Sequence, residues 1–109
     1  MLYSMIMDKN TILNILQQYN QQHQSNGFSF VSLFGSYARG TQDMFSDVDV
    51  TYTLDHDLFY KDDGFAKLEK LEEIKKYLES TLHKKVDMIP FNTKNKRLQK
   101  NLQAEQIVL

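Results

Sequence analysis

The chain of 109 residues has no cysteine, which removes disulfide frameworks and thiolate metal sites and suits a reducing compartment. Proline occurs once, at Pro90, and the chain holds no repeat, linker or low-complexity tract. No apolar run approaches the roughly 20 residues that cross a bilayer. The first ten residues have neither the basic start nor the apolar stretch of a signal peptide. Thirteen basic residues against fourteen acidic ones leave a formal net charge of −1, so no global field draws in nucleic acid. What remains is ordinary globular composition, 41% apolar and 25% charged, which speaks against disorder. The length suits one domain over residues 1–109 with one modest core. The expectation is a soluble, cytoplasmic protein with no membrane or nucleic-acid partner.

Asp8 or Asn10 can cap a first helix, in which Ile12, Ile15, Leu16, Tyr19 and His23 share a face. Ser25, Asn26 and Gly27 are suited to ending it. His23, at the margin of that stripe, reads as a half-buried flanking residue. Residues 28–34 form a dense apolar and aromatic run between Gly27 and Gly35, the pattern of a buried central strand. Residues 36–40 can begin a short helix broken by Gly40, and residues 41–46 form a polar loop. Val48, Val50, Tyr52 and Leu54 then alternate with Asp49, Thr51 and Thr53, which predicts a half-buried strand.

Residues 55–63 place Asp55, Asp57, Asp62 and Asp63 around Leu58, Phe59 and Tyr60, an exposed loop with a candidate partner surface. Residues 64–82 carry Phe65, Leu68, Leu71, Ile74, Leu78 and Leu82 at helical spacing. Residues 85–90 predict a short strand with Val86 and Met88 on one face, Asp87 and Ile89 on the other, and Pro90 ending it. A last helix capped at Asn92 or Thr93 takes Leu98, Leu102 and Val108. Its early turns carry Lys94, Lys96, Arg97 and Lys100, read as a solvated helix start, with contact to a partner or a triphosphate as the alternative. Helices alternating with strands predict an α/β (α+β) domain, a short mixed sheet of three to four strands flanked by helices.

One stretch, Phe34-Gly-Ser-Tyr-Ala-Arg-Gly-Thr-Gln-Asp-Met-Phe-Ser-Asp-Val-Asp-Val50, combines the chemistry. Asp47 and Asp49 are two apart at a strand start, so both carboxylates leave one face about 7 Å apart. Like charges held that close repel unless a cation lies between them, and hard divalent cations such as Mg²⁺ take carboxylate oxygens together with substrate phosphates. An isolated Asp-x-Asp is usually a pair of solvated acids; here it follows a Gly-Ser turn and opens an apolar strand. Asp87 stands in an otherwise apolar strand, where an unpaired charge is costly. It is either an edge acid facing water or a third carboxylate beside the pair, and three such groups fit a two-metal site for phosphoryl transfer.

Gly35 lets the backbone approach a ligand closely, and the N–H groups from Ser36 onward favour an anion. The segment from Gly35 to Thr41 has two glycines five apart but lacks the lysine on which a P-loop depends, so that reading is rejected. Arg39 can aim at the same phosphates or pair with a local acid such as Asp43.

Gly35-Ser36, ten intervening residues, then Asp47-x-Asp49 resembles the signature of the DNA-polymerase-beta-like nucleotidyltransferases. Phe34-Gly-Ser-Tyr-Ala-Arg-Gly40 and Ser46-Asp-Val-Asp-Val50 resemble in particular the minimal nucleotidyltransferase (MNT) family, and Asp87 stands where that family carries a third carboxylate. The resemblance spans nearly the whole chain. It implies transfer of AMP from ATP to a hydroxyl with release of pyrophosphate, using two Mg²⁺. By position, Asp47 and Asp49 would hold both metals, and Asp87 would bind one and help deprotonate the acceptor. Gly35, Ser36 and the adjacent backbone would hold the outer phosphates, with Arg39 assisting. The partner implied is a HEPN-domain toxin, which would supply an acceptor tyrosine and the wall that a small domain lacks. Two alternatives follow: a non-catalytic antitoxin acting by occlusion, and a nucleotidyltransferase for antibiotics or other small molecules.

Overall fold

A computed structural model describes residues 8–23, 27–43, 45–55, 64–91, 96, 100 and 106–109. The order is α1 (Lys9–Gln22), β1 (Phe28–Phe34), α2 (Ser36–Arg39), β2 (Val48–Leu54), α3 (Gly64–Leu82), β3 (Val86–Pro90) and β4 (Ile107–Val108). The four strands form one mixed sheet in the order β3-β2-β1-β4. β1 runs antiparallel to β2 and β4, whereas β2 and β3, joined through α3, are parallel, as a helical crossover requires. This is the expected small α+β sheet.

α1 begins where the Thr11 backbone N–H donates to the Asp8 carboxylate at 2.8 Å, satisfying one of the helix's orphan donors. Its buried residues, Ile12, Leu16 and Tyr19, follow the expected stripe, with Ile15 packed beside them. His23 ends the helix half-buried, its ring stacked on Tyr19 at 4.3 Å between centroids. Tyr19 also meets Phe28 and Phe30 edge-on. α3 supplies Ile74, Leu78 and Leu82 to the same core.

Leu68 departs from the predicted stripe and is 64% exposed. The reason is length. A helix of 19 residues extends about 28 Å, whereas the five residues of β3 extend about 17 Å, so the early turns of α3 overrun the neighbouring strand. Val108, expected on a last helix, instead lies in the edge strand β4, opposite Ser32. Ile107 and Val108 are β-branched and complete the side of β1 away from β2, and the Leu109 N–H donates to the Val31 carbonyl at 2.9 Å. Lys96 and Lys100 are helical and exposed. The other residues assigned to that helix, the Leu58-Phe59-Tyr60 patch and the acids at 57, 62 and 63 lie outside the described residues.

The register of β1 on β2 changes midway. Phe30 pairs with Tyr52, but Ser32 pairs with Thr51, so Val31 has no counterpart and forms a bulge. Beyond it, Leu33 joins Phe28 and Phe30 on the core face opposite Val50, and Phe34 falls opposite Asp49. Thr51, expected to face water, is fully buried, and its hydroxyl lies 2.6 Å from that of Ser32. Two small hydroxyls satisfying one another make that burial tolerable. Next to the bulge, Asn20 of α1 clamps the strand. Its side-chain amide donates to the Phe30 carbonyl and accepts from the Phe30 N–H, both at 2.9 Å.

The Asn20 clamp should therefore be measurable. Truncation in Asn20→Ala leaves two backbone groups of a core strand without their partner and is expected to lower the unfolding free energy by about 2 kcal/mol in urea titrations.

Candidate active site

The bulge decides where β1 ends. Without it, Phe30 opposite Tyr52 would place Phe34 opposite Val48; with it, Phe34 is opposite Asp49, and Gly35 follows directly against that residue's carboxylate. A Cβ at Gly35 would collide with Asp49 Oδ2. Gly35 also has φ +75° and ψ −151°, a conformation essentially confined to glycine. Position 35 is thus fixed twice, by backbone conformation and by the acid that fills the space a side chain would need.

α2 follows at once as a single turn, closed by Gly40 in the left-handed conformation. The Arg39 N–H donates to the Gly35 carbonyl (3.1 Å) and the Thr41 N–H to the Ser36 carbonyl (3.0 Å). Ser36 is half-buried, and Tyr37 is fully buried with its hydroxyl unpartnered. Burial, and then the charge of Asp43, push the Tyr37 hydroxyl up from its ordinary value. The connection back to β2, which composition marks only as a polar loop, has its own hydrogen bonds. Asp43 Oδ1 accepts from the Phe45 N–H at 2.8 Å, and Ser46 Oγ accepts from the Asp43 N–H at 2.9 Å.

On β2 and β3, Asp49 and Asp87 are direct partners in parallel register and so leave the same face. Asp49 is half-buried; Asp47 and Asp87 are exposed. The Asp49 carboxyl is raised to about 6. Desolvation is the largest cause, followed by hydrogen bonding and charge from Asp87 and then by the charge of Asp47, with Arg39 pulling the other way. Asp87, Asp47 and Arg39 therefore all act on the Asp49 carboxyl. Arg39 is exposed, and its charge is felt by the Asp49 carboxyl.

The chemistry of this donor set fits a hard divalent cation: negative oxygens with a net repulsion that a bound cation would relieve. Among the described residues, no three His, Cys, Asp or Glu side chains already close on a single point as a preformed cage.

Because the folded state holds a proton on Asp49 more tightly than the unfolded chain, this group's contribution to stability falls as pH rises from about 4 through about 6. Asp49→Asn removes the buried charge and retains a donor toward Asp87. Without added metal, the variant is expected to melt above wild type at pH 7 and to converge with it near pH 4. Thermal melts across that range test the sign.

The geometry can be set beside that of known proteins. Residues 10–109 match the family described as polymerase beta nucleotidyltransferase. A protein of Methanocaldococcus jannaschii named as a protein adenylyltransferase is 35% identical over 83 residues, covering 75% of this chain and 87% of its own. A solved structure described as a minimal nucleotidyltransferase superposes with a TM-score of 0.66 at 25% identity, covering 94% of this chain and 97% of that one. The fold is shared too by a chain of a toxin–antitoxin structure with AMP-PNP, at a TM-score of 0.59 and 24% identity, covering 94% of this chain and 72% of that one. Family match, relative and fold agree with the Gly-Ser and Asp-x-Asp elements that the register of β1 on β2 brings together: this chain belongs to the polymerase-beta-type nucleotidyltransferases, of the minimal kind.

Proposed function

We propose that the chain moves AMP from ATP to a hydroxyl in a Mg²⁺-dependent reaction, that the hydroxyl is a tyrosine of a cognate HEPN-domain toxin, and that the chain is that toxin's antitoxin. The observation that carries the reaction is Asp49, crowded by Asp87 and Asp47 and set against the bare backbone of Gly35. Adenylyl transfer to a protein is supported by the relative named as a protein adenylyltransferase. The toxin partner follows from the sequence resemblance.

In this reading Asp47, Asp49 and Asp87 would hold two Mg²⁺. When bound, such ions neutralise phosphate charge and lower the pKa of the attacking hydroxyl. Gly35 and Ser36 receive the outer phosphates on backbone N–H groups, and Arg39 adds positive charge beside them. The acceptor oxygen attacks the α-phosphorus, the bond from that phosphorus to the oxygen bridging to the β-phosphorus breaks, and pyrophosphate leaves. The acceptor's proton passes to the Asp87 carboxylate. The exposed position of Asp87 suits a group that must meet an incoming hydroxyl, and half-buried Asp49 suits a fixed ligand.

Incubation with α-labelled ATP, Mg²⁺ and the cognate HEPN protein is expected to label that protein, and Asp47→Ala with Asp49→Ala to abolish the label. Label that survives the double substitution would sink the reading. Toxin neutralisation that the double variant retains in full would assign the effect to occlusion instead. Gly35→Ala is expected to lower labelling at least about 100-fold, since the Asp49 carboxylate must move to admit the methyl group. Mg²⁺ with a non-hydrolysable ATP analogue should raise the melting temperature at pH 7 and raise it less at pH 5, where Asp49 is mostly protonated.

A further inference from the structure

Phe45 is 84% exposed, the most exposed of the large apolar side chains among the described residues, and it stands two positions before Asp47. The hydrogen bonds around it show that this placement is held. The Phe45 N–H is fixed on Asp43 Oδ1 (2.8 Å), and Ser46 is bonded to Asp43 through both its N–H (3.1 Å) and its hydroxyl. The start of the same connection is tied to Ser36 through Thr41. The ring is therefore carried on a short, braced turn that joins the phosphate-facing Gly35-Ser36 element to the acid pair. Two residues of chain separate its Cα from that of Asp47 by no more than about 7 Å.

An aromatic ring used for docking a protein normally sits in a desolvated apolar patch. Along the chain, the described residues flanking Phe45 are polar: Thr41, Asp43 and Asp47 are exposed, and Gln42 and Ser46 are half-buried. A flat heterocycle needs no such patch. It takes one face of one ring, and base–aromatic stacking tolerates an open surrounding. The acids and the Gly-Ser backbone provide for phosphates and cations, and nothing in them recognises a base.

We propose that Phe45 is the platform on which the nucleobase of the triphosphate substrate stacks, which makes it a binding residue for the nucleoside end of the ligand. This rests on the nucleotidyltransferase reading above and adds to it the residue that distinguishes a nucleoside triphosphate from a bare triphosphate.

The chain has no tryptophan, so Phe45→Trp creates a single reporter at the site. With Mg²⁺ present, ATP is expected to quench its fluorescence saturably, whereas inorganic tripolyphosphate is expected to bind without that quench. Phe45→Ala should raise KM for ATP between about 5-fold and about 150-fold, the range for loss of one base–aromatic stack, with kcat little changed. Phe45→Tyr should restore the wild-type KM. An unchanged KM for ATP in Phe45→Ala, or equal quenching by tripolyphosphate, overturns the proposal. A KM that rises only for the protein acceptor overturns it in favour of a partner contact. Wild-type protein that ATP and Mg²⁺ fail to stabilise against heat would defeat the underlying enzymatic reading itself, which separates the two failures.

Discussion

The contact between the Asp49 carboxylate and the bare backbone of Gly35 is the constraint on which the rest of the site depends. It brings a negative side chain and the chain segment proposed to receive phosphates closer than any side chain at position 35 would permit. Such closeness is repulsive by itself once phosphate arrives, and the acid is already destabilised by burial and by its neighbours Asp87 and Asp47. The core built by α1, α3 and the sheet supplies the rigidity that keeps these groups together. Ile12, Leu16, Leu33, Leu78, Val48, Val50 and Val86 are all but fully buried, and the two strands that carry the acids lie side by side in the sheet.

The bulge at Val31 explains how a seven-residue strand serves two faces. Before it, Phe28 and Phe30 pack on α1; after it, Leu33 continues the core, and Ser32 and Phe34 turn toward the face that carries Thr51 and Asp49. A strand with a strict period of two would have placed Leu33 opposite the core and shifted Gly35 one residue along β2. Asn20 holds Phe30 just before this point and the Leu109 N–H holds the carbonyl of Val31 itself, so elements far from the acids help to set the site's geometry. The electrostatic cost of gathering three carboxylates is met by this scaffold, as is common where charge is put to chemical use.

Much of this was legible in the residues. The limits of β1, of α3 and of the short helix before Gly40 follow from apolar runs, helical spacing and glycine positions, because local periodicity and turn chemistry act over a few residues. The candidate site was readable for the same reason: Gly35, Ser36, Asp47 and Asp49 lie within one stretch of fifteen residues. Asp87 was harder. It is 38 positions from Asp49, and only an odd charge in an apolar strand and the resemblance to the family's third carboxylate pointed to it. Leu68 and Val108 were misplaced because their surroundings depend on how far one element extends past another, or on which strand edge is left to be filled, and Thr51 because the bulge sets the Ser32 hydroxyl opposite it. Phe45 carried no signal at all, since an aromatic residue in a polar loop is as easily buried as displayed.

The sequence by itself determined the chemical inventory: a Gly-Ser turn, two carboxylates at a fixed spacing, a third in a short strand, and the family to which these belong. Tertiary structure decided the register. It set Asp87 beside Asp49, gave Gly35 an acid for a neighbour, and held Phe45 in water at the edge of the site. The physical reason is that local sequence specifies which groups a strand or turn carries. The pairing of strands, and a single unpaired residue within it, specifies which groups meet.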